Sequence, residues 1–293
     1  MPHWGVIILC IEGVGAANQA ATTATGRIVK IVCTSLLLLL AGTPLAQAQS
    51  DAPPGTPPGM ASRLAADRAG AVQTGRYNAG DSGNFTLESY GSGKYLLRFS
   101  GRGETFVLTT ERGSLGVKLL KYDTGTVALR VSVWGGLTLY TQDAPQGAPA
   151  TFQAPTQPST VLSINNAELQ SALNDETNHL NYAQNIALKF SADPAVLAAD
   201  PETRGRAFYA LINAATGIER FLAATPAARP LLVKRVNSVK VAEGGKPTIA
   251  LLGQTLVVSF VPSEGHEGHA SSLAIQQELG KLFAGTPADM AIK

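Results

Sequence analysis

Cysteine is scarce in this sequence, with only Cys10 and Cys33 among 293 residues. Two cysteines exclude a scaffold built on several disulfides and a zinc site made of cysteines. Charged residues are also few, at 15%, and 23 basic residues nearly balance 21 acidic ones. This balance excludes general coating of nucleic acid, so no nucleic-acid partner is expected. The 45% of hydrophobic residues and the length predict one or two folded domains.

Long hydrophobic runs are missing too. The apolar stretch at residues 31–41 is too short to span a bilayer, but Arg27 and Lys30 precede it, and Ala46 and Ala48 follow. A basic flank, a short apolar core and small residues in this order are typical of a secretory signal peptide. The pattern predicts cleavage after Ala48 and a periplasmic or extracellular product. No segment after residue 48 is predicted to span a membrane.

The residues before Arg27 do not fit an ordinary leader. Val29 can be encoded by GTG, which also serves as a bacterial start codon. A start there gives a leader of ordinary length, so residues 1–28 are interpreted as an untranslated extension. Cleavage after Ala48 removes Cys10 and Cys33, and a cysteine-free mature chain suits an oxidising compartment.

Composition divides the rest of the chain into segments. Proline and glycine predict an extended linker with a short helix over residues 49–75. Short β-branched and aromatic runs between turn signals predict a β-domain over residues 76–142. Residues 143–160 are Pro-rich and are interpreted as a connector, and residues 161–293 as an α+β domain. The partition thus predicts two domains joined at residues 143–160.

The predicted fold class is α+β. The N-terminal part is expected to form an antiparallel β-meander or small barrel, with the clearest strand at residues 126–133, where Val127, Leu129 and Val131 alternate with polar or small residues. The C-terminal part is expected to contain helices with a three-stranded antiparallel sheet. Its predicted helices cover residues 166–190, 202–222 and 271–283, and its predicted strands cover 231–241, 248–252 and 255–261.

The most suggestive local cluster is His266-Glu267-Gly268-His269. Two histidines can bind zinc or a related metal, but metalloproteases use His-Glu-x-x-His on a helix, and here the spacing is one residue shorter. Because Gly265 and Gly268 favour a loop and no third ligand can be nominated, a solvated loop is the commoner interpretation. No cofactor is therefore expected, with zinc at His266 and His269 as the alternative.

Two further patterns carry alternatives. The loop that leads into the helix near Ser271 presents free N–H groups, which would suit an anion, although Glu264 and Glu267 oppose one. Glu176 and His179 match one half of a di-iron motif, but a second pair is missing from the sequence. A solvated helix face is therefore the favoured interpretation of Glu176 and His179.

Trp134 is the only tryptophan after the predicted cleavage point, and Tyr140 follows on the next predicted strand. An exposed pair of such rings on a secreted β-domain would stack on a sugar or a peptide. A core aromatic at a strand end is the commoner case. Trp134 and Tyr140 are therefore kept as candidate ligand-binding residues beside that alternative.

Several segments resemble an uncharacterised family of secreted proteobacterial proteins that carries only a domain-of-unknown-function label. The resemblance covers about residues 76–284. Its segments are Arg76-Tyr77, residues 94–99, 119–125 and 129–140, then residues 244–247 and 252–260. It implies an uncharacterised envelope protein and supplies no catalytic residues.

We therefore expect a non-enzymatic binding or envelope-accessory protein of unknown partner. Nucleophile motifs such as Gly-x-Ser-x-Gly and Ser-x-x-Lys are absent from the sequence. The alternative is a periplasmic hydrolase, metal-assisted through His266 and His269. The two hypotheses differ in whether these histidines meet a carboxylate from another segment in one pocket.

Overall fold

The computed structural model describes residues 72–284. The first eight strands in this range are β1 (Gly75–Asn78), β2 (Asn84–Ser89), β3 (Lys94–Phe99), β4 (Phe106–Arg112), β5 (Lys118–Lys121), β6 (Val127–Val131), β7 (Leu137–Leu139) and β8 (Ala148–Ala154). The following elements are α1 (Asn166–Gln184), β9 (Lys189–Ala192), α2 (Pro194–Ala198), α3 (Pro201–Ala224), α4 (Arg229–Arg235), β10 (Ser238–Glu243), β11 (Thr248–Leu252), β12 (Thr255–Phe260) and α5 (Ser272–Ala284).

Strands β1 to β8 form a closed antiparallel barrel in which each strand pairs with the next and β8 returns to β1. Alternation gives the strands an inner and an outer face, since Leu129 and Val131 point into the barrel core while Arg130 between them is exposed. Eight strands leave an interior that side chains can fill. Aromatic rings pack in it: Tyr77 and Phe85 are stacked with their centroids 5.2 Å apart, and Phe106 and Tyr122 meet edge-on at 5.0 Å. The predicted meander or barrel is confirmed.

The strand that closes the barrel lies where the sequence indicated only a connector. Ala148–Ala154 form β8 inside the Pro-rich segment 143–160, and Pro149 is opposite Thr138 of β7. Strand β1, which lies across the predicted boundary at residue 76, was not predicted as a strand either. The segment 143–160 is therefore partly barrel wall. The division of the chain into two domains stays a prediction, since the barrel and the elements after it belong to one compact unit.

The C-terminal part is a mixed sheet covered by helices. Its strand order is β11-β12-β10-β9, with β10 parallel to both β12 and β9. The α+β class is confirmed, but the sheet has four strands in the described range, and only β11 and β12 form the expected antiparallel hairpin. Phe190 belongs to β9, although helical spacing had extended the preceding helix to it. A parallel neighbour requires a long crossover, which α2, α3 and α4 provide between β9 and β10.

Capping residues explain where the long helices begin. The side chain of Asn165 accepts a hydrogen bond from the backbone N–H of Glu168, and the Glu168 carboxylate accepts one from the N–H of Asn165. At α3, Asp200 accepts from Glu202 and Thr203, and Pro201 occupies the first helical position. The strand expected at residues 231–241 was wrong over its first part, because α4 extends to Arg235 and β10 begins only at Ser238.

Candidate functional site

A loop of residues 261–271, here called the histidine loop, joins β12 to α5 and packs against the barrel. The Tyr90 hydroxyl, from the turn after β2, accepts a hydrogen bond from the backbone N–H of His266 at 3.1 Å. Lys94 of β3 forms an ion pair with Glu267 at 2.5 Å. A Cβ on Gly265, which has φ of 60°, would lie 2.5 Å from the Tyr90 hydroxyl. The glycine thus lets the barrel tyrosine approach the loop backbone.

His269 is buried, with 7% of its surface exposed, and its orientation is fixed by Asn213 of α3. The amide Nδ2 of Asn213 donates to the carbonyl oxygen of Ala270 at 2.9 Å and to Nδ1 of His269 at 3.2 Å. Because the carbonyl can only accept, the amide nitrogen is identified, and Nδ1 of His269 must accept. The imidazole is therefore neutral with its proton on Nε2.

His266 and His269 lie in one aromatic cluster with Tyr209 and Tyr90. The ring centroid of Tyr209 lies 5.3 Å from that of His266 and 5.8 Å from that of His269, and the two imidazoles are 6.0 Å apart. Tyr90 contacts His266 edge-on at 5.7 Å. Among the described residues, Nδ1 of His266 and Nε2 of His269 have no hydrogen-bond partner, and neither has Nη1 of Arg206.

Burial keeps both imidazoles uncharged. It lowers the pKa of His266 to about 4, with further lowering from the guanidinium groups of Arg206 and Arg98 and opposition from Glu88. It lowers the pKa of His269 to about 3, helped by His266 and Arg206. A neutral imidazole offers one donor and one acceptor, so this pair provides hydrogen-bonding groups without charge at neutral pH.

The N-terminus of α5 is occupied by carboxylates of the barrel. Asp123 accepts from the backbone N–H of Ser271 at 2.9 Å and from its hydroxyl at 2.7 Å. Glu104 accepts from the N–H and the hydroxyl of Ser272, both at 2.7 Å. The N–H groups at this N-terminus do bind negative charge, as expected for a helix N-terminus. The charge comes from two carboxylates of the chain itself, which take the place of an external ligand.

A pocket of about 490 Å³ opens between the barrel and the C-terminal part. Outward-facing residues of β4 such as Val107 form one wall, and Ile249 of β11 and Ala274 of α5 form the others. His266 and His269 both line it. This volume is in the range of small-molecule sites, which combine apolar walls with a few polar groups.

The described residues do not gather a metal site around the histidine loop. Within residues 72–284, no group of three His, Cys, Asp or Glu side chains could hold a metal ion. Zinc at His266 and His269 therefore remains a sequence prediction with two candidate ligands. His179 is placed elsewhere, between α1 and α3, where its Nε2 lies 2.8 Å from the Glu219 carboxylate.

Trp134 and Tyr140 are not brought together. Trp134 is 81% exposed in the turn between β6 and β7, so its interpretation as a core aromatic was wrong. Tyr140 follows β7 at the opposite end of that strand, and a Cβ on Gly147 would lie 2.9 Å from its ring. The cleavage residues Ala46 and Ala48, with the predicted extension and signal peptide, lie outside the described residues.

Sequence reasoning found the two histidines but not the residues that position them. Tyr90 is 176 residues from His266 in the chain, and Asn213 is 56 residues from His269. Asn213 did carry a signal, because it is the one amide side chain in the apolar run of residues 210–215. A polar residue on a buried helix face needs a partner.

Comparison with known protein families shows to which family the chain belongs. A family model described as Domain of unknown function (DUF4908) matches residues 60–279. The chain belongs to this family. No curated protein and no solved structure matches the DUF4908 chain. No helix between residues 72 and 284 is both long and apolar enough to cross a membrane.

Proposed function

We propose that this DUF4908 protein is a secreted, non-enzymatic binding protein whose ligand site is the pocket between the barrel and the C-terminal part. The observation that carries the proposal is the pair of neutral histidines, His266 and His269, in the wall of a pocket of about 490 Å³. Apolar walls with a few fixed polar groups favour recognition of a small molecule.

The charges of the lining favour a neutral or cationic ligand. Asp123, Glu267 and Glu278 contribute carboxylates, whereas no described lining residue is lysine or arginine. Glu267 is paired with Lys94, and Glu278 with Lys281. Asp123 is thus the lining carboxylate whose charge no ion pair among the described residues offsets, and the net negative charge is modest. An anionic ligand would meet carboxylates without a lining cation to balance them.

The geometry gives less support to a hydrolase. The Ser271 hydroxyl donates to Asp123 at 2.7 Å and accepts from the N–H of Ala274, which is the role of a helix cap. A nucleophilic serine would instead donate to a base such as histidine. Metal assistance would need a third ligand, and the described residues offer none to His266 and His269.

Export rests on the sequence of residues 27–48. The basic flank, the apolar core and the small residues Ala46 and Ala48 support cleavage after Ala48. Cell fractionation with N-terminal sequencing tests this part of the proposal. A periplasmic product that begins at Gln49 is expected, and a cytoplasmic product that retains residues 31–48 would contradict export.

Filling the pocket tests the ligand site. Saturation-transfer NMR would screen the purified protein against monosaccharides, amino-acid amides and polyamines, with dicarboxylates as anionic probes. We expect a neutral or cationic probe to bind, and Ala274→Trp to abolish its signal because the indole occupies the pocket. Gln277→Trp on the exposed side of α5 is the matched control and should bind as the original protein does.

Three outcomes would contradict the proposed site. They are the lack of any neutral or cationic binder, a binder that tolerates Ala274→Trp, and a preference for the dicarboxylates. Far-UV circular dichroism of both tryptophan variants checks that the fold is retained. One equivalent of zinc in the untagged protein, lost with His266→Ala and His269→Ala, would instead favour the hydrolase.

A further inference from the structure

Two neighbouring turns at one end of the barrel expose apolar side chains. Leu115, in the turn between β4 and β5, is 92% exposed, and Trp134, in the turn between β6 and β7, is 81% exposed. Val133 is also exposed, and a Cβ on Gly116 would lie 3.3 Å from its Cγ2. The two turns therefore touch, and Leu115, Val133 and Trp134 form one surface, here called the apolar tip.

The backbone presents this surface in a fixed way. The turn that carries Trp134 is closed by a hydrogen bond from the N–H of Ser132 to the carbonyl of Gly136 at 2.8 Å, and the Ser132 hydroxyl accepts from the N–H of Gly136 at 2.9 Å. Leu115 has φ of 55° and ψ of 32°, a left-handed conformation that costs a branched residue about 1 kcal/mol. Because Leu115 is exposed, its side chain does not offset this conformational cost by packing in the barrel core.

Basic side chains surround the apolar tip. Arg112 and Lys118 are directly opposite each other at the ends of β4 and β5 that lead into the Leu115 turn. Arg130 is exposed next to Val131, which is opposite Lys118. None of these three forms an ion pair with another described residue. The nearest carboxylate on these strands, Glu111, is paired with Lys121 at 2.5 Å.

We propose that the apolar tip docks on the surface of an anionic lipid membrane. Leucine and valine side chains lose contact with water by entering the acyl boundary, and the amphipathic indole of Trp134 suits the level of the headgroups. Arg112, Lys118 and Arg130 would face lipid phosphates, which supply the negative charge that the protein surface lacks there. The pocket at the histidine loop is separate from the apolar tip. Asp123, which lines the pocket, follows one end of β5, whereas the turn that carries Leu115 precedes the other end.

Charge favours a lipid surface over another copy of this chain. Two copies joined through the apolar tip would bring their unpaired basic residues together, and like charges in contact oppose association. The pair of rings expected to stack on a sugar is not formed, because Tyr140 lies at the other end of β7 from Trp134. A membrane satisfies the apolar and the basic parts of the surface at once.

Vesicle binding tests the proposal with the protein purified after export, which lacks the apolar stretch at residues 31–41 that would bind lipid by itself. We would measure co-sedimentation with phosphatidylglycerol vesicles and with phosphatidylcholine vesicles at low and at high salt. Binding is expected on the anionic vesicles and should weaken at high salt, because screening removes the contribution of the basic residues. In the proposed exported product, which begins at Gln49, Trp134 is the remaining tryptophan, and its emission should shift to the blue on anionic vesicles.

Variants separate the two parts of the surface. Trp134→Ala and Leu115→Asn should each weaken vesicle binding by about tenfold, because each removes a large apolar contact. Asparagine tolerates the left-handed conformation, so Leu115→Asn should fold at least as well as the original chain. Arg112→Gln with Arg130→Gln should weaken binding by about tenfold and reduce its salt dependence.

The matched control is Tyr182→Ala. Tyr182 is 93% exposed on α1, away from the two turns, so its removal should leave vesicle binding unchanged. The proposal is overturned if the original chain does not bind anionic vesicles, or if Tyr182→Ala weakens binding as much as Trp134→Ala. It is also overturned if Trp134→Ala abolishes a dimer seen by analytical ultracentrifugation while vesicles bind neither form.

Discussion

Asn213 is a polar side chain on the buried face of α3, and it determines how His269 is presented. Its amide group binds the Ala270 carbonyl and Nδ1 of His269, so the imidazole keeps Nε2 as its remaining donor. The oxygen of Asn213 has no partner among the described residues. A buried polar atom without a hydrogen-bond partner costs free energy of folding. Proteins commonly bear this cost at sites that bind a ligand.

The buried histidine predicts acid sensitivity. The pKa of His269 is lowered to about 3, below the ordinary 6.5, so the unfolded chain binds more protons between these values. Its stabilising contribution is therefore complete above pH 6.5 and is lost as the pH falls towards 3. We expect the free energy of unfolding to fall by about 1 kcal/mol per pH unit from this group. Urea unfolding followed by circular dichroism between pH 7 and pH 4.5 measures it.

The comparison of variants isolates this effect from other titrating groups. His269→Gln should reduce the slope by about half, because His266, whose pKa burial lowers to about 4, still contributes its own part. Burial raises the pKa of Glu104, and its effect has the opposite sign, because stability falls as the pH rises through a raised carboxyl pKa. Equal slopes for the original chain and His269→Gln would contradict the prediction.

At the scale of elements, α3 and α5 approach so closely that glycine is needed between them. A Cβ on Gly217 of α3 would lie 2.6 Å from Cγ2 of Ile275 and 3.0 Å from the carbonyl oxygen of Ser272. Ile275 is fully buried, so it has little room to move. This contact places the start of α5, and with it the histidine loop, against α3 and Asn213.

Two helical glycines should respond to alanine in opposite directions. Gly217→Ala is expected to destabilise the protein by about 1–3 kcal/mol, because the added methyl overpacks the contact with Ile275. Gly280→Ala in α5 should stabilise it by about 0.5–1 kcal/mol, since nothing lies within 4 Å of the added Cβ and alanine is the better helix former. Denaturant midpoints give both values, and a shift of the same sign in both variants would be inconsistent with this packing.

Turn residues and alternating hydrophobicity predicted the strands that pair with a neighbour in the chain. The β-domain was found because turn residues and alternation are local signals, and its clearest predicted strand, residues 126–133, contains β6 (Val127–Val131). Strand β8 was missed because the proline and alanines of residues 148–154 are typical of a connector. In addition, β1, the strand with which β8 pairs, is far away in the chain. Strand β9 was merged with a helix because Phe190 continues the helical spacing. Long-range pairing leaves little local pattern.

At the scale of the molecule, three carboxylates of the barrel hold the segments that follow it, and two of them, Glu88 and Glu104, are buried. Glu88 accepts from the N–H of Ser159 at 2.9 Å and pairs with Arg98. Glu104 and Asp123 cap the N-terminus of α5. The site residues of the pocket come from both sides of this junction, so the pocket depends on it. The sequence contained no pattern that indicated the partners of these carboxylates, which are 71 to 168 residues away.

This junction predicts cooperative unfolding of the barrel and the C-terminal part. In the original chain, we expect hydrogen exchange in urea to expose peptides of both parts together. Asp123→Ala should cost about 1–2 kcal/mol through loss of the cap, and Glu104→Ala more, because Arg220, 3.8 Å from that carboxylate, loses its partner. The double variant should let the amide hydrogens of α5 and the sheet exchange before those of the barrel.

The control is Asp143→Ala, which replaces an exposed aspartate in the turn after β7 and should preserve the joint transition. If the double variant still unfolded in one step, the carboxylates would not be what couples the two parts, and packing of Leu273 against the barrel core would have to do so.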